Sequence, residues 1–168
     1  PDAIGDRPLV HLSIKPSSLS AHLDPLSMEY SLTQAFGRLR RIAQQAINHG
    51  AAITLDMEQY QLRDLTVELA KRLLLEPGIG ERVQLGIVIQ AYLRDAPSVI
   101  TQLLPWLQAH HRRLAIRLVK GAYWDSEVAL ARQRGWEVPV HQTKRQTDQA
   151  FERLTEGLLS HTSLVRAE

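Results

Sequence analysis

The 168-residue chain contains no cysteine. That excludes disulfides, thiolate metal sites and a cysteine nucleophile. No run of about 18 apolar residues occurs, so no segment reads as a membrane span. Residues Pro1 to Arg7 lack the basic-then-apolar order of a secretory signal. Strong one-sided charge is missing as well. The formal net charge is only +2 and the basic residues are scattered, which leaves no electrostatic footprint for nucleic acid. There is no P-loop, no paired-histidine zinc motif and no nucleophile elbow, and no metal site is expected. Gly78-Ile79-Gly80 begins like a dinucleotide fingerprint. It precedes a strand instead of following one and lacks the third glycine, so it reads as a capping turn. A cytoplasmic enzyme or domain is the expectation, and the abrupt ends read as those of a piece excised from something longer. Apolar material is plentiful: 44% of residues are hydrophobic, enough for one domain with a real core.

The apolar residues fall into two periods. Val10 to Lys15 alternates, with Val10, Leu12 and Ile14 on one face, and Pro16-Ser17-Ser18 ends it. From about Met28 to His49, Leu32, Ala35, Phe36, Leu39, Ile42, Ala43, Ala46 and Ile47 form a helical stripe that Gly50 stops. Arg38, Arg40 and Arg41 lie mostly off that stripe, as a solvated face. Ala51–Asp56 reads as a second strand and Gln61–Leu75 as a second helix. Leu85–Ala91 is a third strand, followed by a helix from about Pro97 that Pro105 should kink or split. Arg113–Val119 is the fourth strand. Helices follow at about Ser126–Arg134 and Thr147–Leu159, and a fifth strand is expected to start within Ser163–Val165.

Strand and helix alternate four times, the pattern of an α/β protein with a parallel sheet. In each strand the aliphatic side chains share one parity. An open sheet covered on both sides would be oily on both parities, so a barrel with outer helices fits better. The other parity reads His11, Ser13, Lys15; Ala52, Thr54, Asp56; Gly86, Val88, Gln90; Ala115, Arg117, Val119. Barrel chemistry sits at the C-terminal ends of the strands, where Lys15, Asp56, Gln90 and Arg117 are expected to converge. The steps between these four are 41, 34 and 27 residues, so eight such units need roughly 270 residues, near the usual ~250. The expectation is a partial (βα)8 TIM-type barrel of about four to five βα units, with the C-terminal half absent.

The stretch Arg117-Leu118-Val119-Lys120-Gly121-Ala122-Tyr123-Trp124-Asp125 is the centre of this pattern. It carries an oily strand into a charged, glycine-containing turn. Asp125-Ser126-Glu127 then opens a helix, with Asp125 or Ser126 as cap and Glu127 where the helix dipole favours an anion. Such a strand end suits an anionic or electron-rich ligand; it is equally an ordinary charged connection. Tyr123 and Trp124 either line a ligand pocket or pack under the loop. Asp56 and Glu58 share a parity as a candidate carboxylate pair without a fixed geometry. Trp106 reads as core, and His110-His111 as surface capping.

The run Arg117 to Glu127 resembles the signature of the flavin-dependent proline dehydrogenases, most of all the bacterial bifunctional proline-utilization A branch. Ser13-Ile14-Lys15 with Ser17 and Leu19, Leu55-Asp56-Met57-Glu58, and Gly86-Ile87-Val88-Ile89-Gln90-Ala91-Tyr92 are similar to the family's first three strand motifs, in order. Pro16 stands where the family usually has an aliphatic residue. Pro105 interrupts a helix, and His141-Gln142-Thr143-Lys144 replaces a more aromatic, arginine-bearing loop. The resemblance implies a distorted (βα)8 barrel that holds FAD, oxidises L-proline to 1-pyrroline-5-carboxylate and passes electrons to a quinone. Lys15 and Tyr123 would bind substrate, Lys15 through the proline carboxylate. Asp56 would be an active-site acid near the substrate amine, and Arg117 would sit beside the flavin's reactive edge. Met57, Gln90, Lys120, Gly121, Ala122 and Trp124 would contact FAD as well. A fused or partner glutamate-semialdehyde dehydrogenase domain is implied, as is a cytoplasmic location, peripheral at the inner face of the membrane. The family's paired substrate-binding arginines and a histidine-bearing flavin stretch lie beyond residue 168, so an isolated fragment should be inactive. Two other readings remain: another (βα)8 enzyme, such as a lyase or aldolase with Lys15 as Schiff-base amine, and a non-catalytic fragment.

Overall fold

The alternating residues at the start of the chain form β1 (His11–Ile14), which pairs in parallel with β2 (Ala52–Leu55). In this computed structural model the described residues are Pro8 and 10–167; the reading of Pro1 to Arg7 lies outside them. The chain divides into two units, Pro1–Ile87 and Val88–Glu168. Five strands run in the order β1-β2-β3-β4-β5, where β3 is Gln84–Gln90, β4 is Leu114–Val119 and β5 is Val165–Ala167.

In the first unit the connection from β1 to β2 contains a four-residue helix, α1 (Pro16–Leu19), a 3-10 turn (Pro25–Ser27) and the long helix α2 (Met28–Asn48). The helical stripe of α2 is buried at Leu32, Ala35, Leu39, Ala43 and Ala46. Each fully buried leucine of this kind contributes about 1.5–3 kcal/mol. The helix ends at Asn48 with His49 as C-cap, and Gly50 follows with a φ of 62°, the left-handed conformation expected of a stop. Helix α3 (Arg63–Leu75) follows β2, entered through a 3-10 turn at Tyr60–Leu62, and buries Leu65, Leu69 and Leu73. Two of the arginines read as merely solvated have partners: Arg38 donates to the Leu19 carbonyl and Arg40 pairs with Glu76. Arg72 of α3 reaches Glu29 of α2 at 2.6 Å.

Strand parity holds for β2, where Ile53 and Leu55 are fully buried, but its small and polar partners Ala52 and Thr54 are buried too. In β1 the expected oily face is open, with Val10 47% and Leu12 42% exposed. They line an apolar groove of about 350 Å³ together with Ile42 and Ala46 of α2. β1 is the first strand in the sheet order, with β2 as its partner.

In the second unit β3 leads into α4 (Ala96–Ala109), then β4, α5 (Trp124–Arg134), α6 (Lys144–Leu159) and β5, which pairs in parallel with β4. Pro105 does not split α4 as expected. The missing N–H and ring clash cost about 3 kcal/mol or more, offset by burial of Ile100, Leu103 and Leu107. Trp106, read as core, is half-buried and stacks on His110 at 4.3 Å between centroids. His110 is the C-cap, with Nδ1 at 2.8 Å from the Trp106 carbonyl. Among the described residues no helix is long and apolar enough to cross a membrane.

Candidate active site

The C-terminal ends of the strands carry the charged residues in both units. In the first, the Asp56 amide continues the ladder by donating to the Ile14 carbonyl at 2.9 Å. This sets the Asp56 side chain just past β2 on the His11–Ser13 face. Ser13 Oγ donates to Asp56 Oδ1 at 2.6 Å, and one step earlier His11 Nε2 lies 2.6 Å from Thr54 Oγ1. The polar parity of β1 and β2 is thus a cross-strand ladder of hydrogen-bonded pairs.

Asp56 and Glu58 do not form a carboxylate pair. Glu58 is buried, and its two oxygens accept from Ser17 N at 2.8 Å and Ser17 Oγ at 2.6 Å. Met57 between them is buried as well. Lys15 is exposed and is the N-cap residue of α1. Pro16, the departure from the family pattern, is N1 of α1, where its fixed φ and missing N–H fit.

In the second unit Gln90 is buried at the end of β3. The amides of Ala91 and Tyr92 donate to the carbonyls of Val119 and Lys120 at 2.8 and 2.7 Å, so the ends of β3 and β4 run together. Arg117 is half-buried on β4. Lys120 and Lys144 both donate to Asp148, one to each carboxylate oxygen, Lys144 at 2.6 Å. These two hydrogen bonds hold the Asp148 carboxyl below its ordinary range, and the carboxylate in turn raises the Lys144 ammonium. Gly121 has a φ of 134°, and a Cβ there would come within 2.5 Å of the Tyr92 ring. Only glycine lets the turn close over that ring. Burial, then the nearby Glu127 charge, pushes the Tyr92 phenol upward.

Ala122 is exposed and Tyr123 half-buried. Trp124, 39% exposed, donates its indole N–H to the His141 carbonyl at 2.8 Å. Neither Asp125 nor Ser126 caps the next helix. Tyr123 is the N-cap of α5, Ser126 Oγ donates back to its carbonyl at 2.9 Å, and Asp125 and Glu127 fall in the first turn. His141 is lowered by burial and then by the charges of Arg94 and Arg153.

Sequence reasoning missed Asp148 and the cationic role of Lys144. The signal for their placement was Thr143-x-x-Gln146, a capping box that starts α6 at Lys144, three residues before the expected Thr147. The loop that departs from the family therefore still offers an ammonium, at Lys144.

Parallel strands joined through helices, with charged side chains at their C-terminal ends, define an α/β protein of the TIM-barrel type. The model of the family described as proline dehydrogenase matches residues 3–168, and the chain belongs to that family. It is 33% identical over 92% of its length to the bifunctional protein PutA of Klebsiella aerogenes, of which it covers 12%. It is 33% identical over 71% of its length to proline dehydrogenase 1 of Bacillus subtilis strain 168, covering 36% of that protein. Among solved structures, proline utilization A from Bdellovibrio bacteriovorus inactivated by N-propargylglycine superposes on 95% of the chain with a TM-score of 0.90 and 36% identity, over 17% of its own length. The chain thus spans a minor part of the relatives it matches.

Proposed function

We propose that this chain is the N-terminal half of a (βα)8 barrel that oxidises L-proline to 1-pyrroline-5-carboxylate with FAD, electrons passing on to a quinone. The observation that carries the reading is that the family's strand-end residues occupy held positions: Asp56 by Ser13, Lys120 by Asp148, and Gly121 closed on Tyr92.

The donor set of the second unit fits the cofactor. It offers a guanidinium at Arg117, ammoniums at Lys120 and Lys144, exposed backbone at Gly121 and Ala122, and the Trp124 indole. Phosphates and an electron-accepting ring require cations and backbone donors of this kind. FAD, when bound, supplies the two-electron acceptor. In the first unit Lys15 binds the substrate carboxylate and fixes the ring. Oxidation of the C–N bond removes a hydride equivalent from the ring carbon and a proton from nitrogen. Asp56, held by Ser13, is the carboxylate on which that proton is held. Arg117 supplies positive charge where negative charge develops. In this reading Tyr123 contacts substrate, and Met57 and Gln90 contact the cofactor.

The relatives named bifunctional extend the proposal to a fused partner activity, an aldehyde dehydrogenase that consumes the product. The chain alone is proposed to lack part of the site. The direct test uses the full-length protein with L-proline and a quinone analogue. It should be yellow as purified and form 1-pyrroline-5-carboxylate, while the isolated 168-residue chain should neither turn over nor stay yellow after dialysis. A colourless full-length protein, or one inert to proline, refutes the reading.

A further inference from the structure

We infer that Glu58 is the positioning residue of Lys15, acting through Ser17. The inference rests on the reading of Lys15 as the group that binds the substrate carboxylate.

Helix α1 has an unusual start. N-cap positions favour Ser, Thr, Asp or Asn, whose oxygen accepts from the first free amides. Lys15 holds that position, and an ammonium has no acceptor to offer. The cap comes from elsewhere. Glu58, from the segment after β2, accepts the Ser17 amide at 2.8 Å and the Ser17 hydroxyl at 2.6 Å, one with each carboxylate oxygen. Glu58 is only 6% exposed, and a buried carboxylate needs such donors to be tolerated. Both donors belong to one residue, two positions after Lys15.

Three further constraints act on the same backbone. Pro16 restricts Lys15 to the extended region, where it lies at φ −77° and ψ 127°. The Lys15 carbonyl accepts from Ser18 N at 2.9 Å and from Ser18 Oγ at 2.6 Å. Pro16 and Leu19 are buried. The backbone of Lys15 is therefore fixed from both sides while its side chain stays exposed and unused for capping. A cap supplied by a second strand end leaves the lysine available to a ligand. A capping Asp or Ser at position 15 would serve the helix and lose the cation. Glu58 touches neither substrate nor cofactor in this account.

The test is a double-mutant cycle in the full-length enzyme, with L-proline kinetics, binding of the non-oxidisable carbocycle cyclopentanecarboxylate, and melting temperature as readouts. Glu58→Ala should raise KM for proline and the Kd of the carbocycle about tenfold, the worth of one hydrogen bond to a charged group, with kcat changed less than about threefold. Glu58→Gln keeps an acceptor for Ser17 and should recover most of the loss. In a Lys15→Met background, Glu58→Ala should change either constant less than about twofold, because the two residues act as a unit. If Glu58→Ala does not fold, Ser17→Ala, which removes the hydroxyl half of the clamp, should give a smaller rise of about threefold that again vanishes with Lys15→Met. A wild type that oxidises proline with equal effects in both backgrounds, or with a lowered melting temperature and unchanged KM, makes Glu58 structural and overturns the inference alone. A wild type inert to proline overturns the proposed function and the inference with it.

Discussion

The strand ends of the two units hold their carboxylates and ammoniums by different means. After β1 and β2 the fixed groups are carboxylates, and the donors that hold them are serines: Ser13 on Asp56 and Ser17 on Glu58. After β4 the fixed group is an ammonium, and a carboxylate, Asp148, holds Lys120 together with Lys144. The serine hydroxyls are neutral donors, so they add no countercharge to the carboxylates they hold. In the second unit two lysines share one Asp148, which leaves a net positive end suited to phosphate or to a ring that gains electrons. In the proposed reading the first unit supplies Asp56 to the substrate amine and Lys15 to its carboxylate, and the second supplies cations to the electron acceptor.

If this division is right, Asp56→Ala should have the largest effect. Proline turnover in the full-length protein should fall by about 10²–10⁴, the range for a positioned acid or base, with flavin still bound. Steady-state assays and the absorbance of the purified variant check this. Arg117→Met comes next. Removing one preorganised charge should slow anaerobic flavin reduction by proline roughly 10²–10³-fold, with a smaller change in melting temperature. A variant that loses stability but reduces normally would make Arg117 a structural cation.

Gly121→Ala sharpens the comparison from the backbone side. Its Cβ would strike the Tyr92 ring, and φ of 134° is closed to alanine. The strain should cost about 1–3 kcal/mol, read as a lower melting temperature and faster flavin loss; neutral behaviour would show that the turn opens freely. The smallest effect is electrostatic. The folded Asp148 carboxyl is held below its ordinary range by Lys120 and then Lys144. Its stabilisation is therefore complete above the ordinary carboxylate pKa and is lost as pH falls through the lower folded value. Asp148→Asn should melt below wild type at pH 7, and the two curves should converge in strong acid.

The alternation of strands and helices was legible because each element has a clear period and a stop such as Gly50 or Gly135. Terminal residues were less so. Pro16 looked like the end of a strand and is the first residue of α1, because proline serves both roles. Asp125 and Ser126 looked like caps, yet the N-cap lies two residues before Asp125, at Tyr123. Parity identified which face of β1 is oily but not whether anything covers it, and Val10 and Leu12 are open. Asp56, Lys15 and Arg117 could be placed at strand ends from spacing alone. Ser13, Glu58 and Asp148 could not be paired with their partners, because hydrogen bonds across 28 to 43 positions leave no local period in a sequence.

The division of labour between the units is tested most directly by the flavin midpoint potential of the full-length wild type, Arg117→Met and Asp56→Ala. A cation in the second unit that stabilises the reduced ring predicts a lower potential in Arg117→Met. A carboxylate in the first unit that serves only the substrate amine predicts a potential close to wild type in Asp56→Ala. An unchanged potential in Arg117→Met, or an equal shift in both variants, would contradict the account.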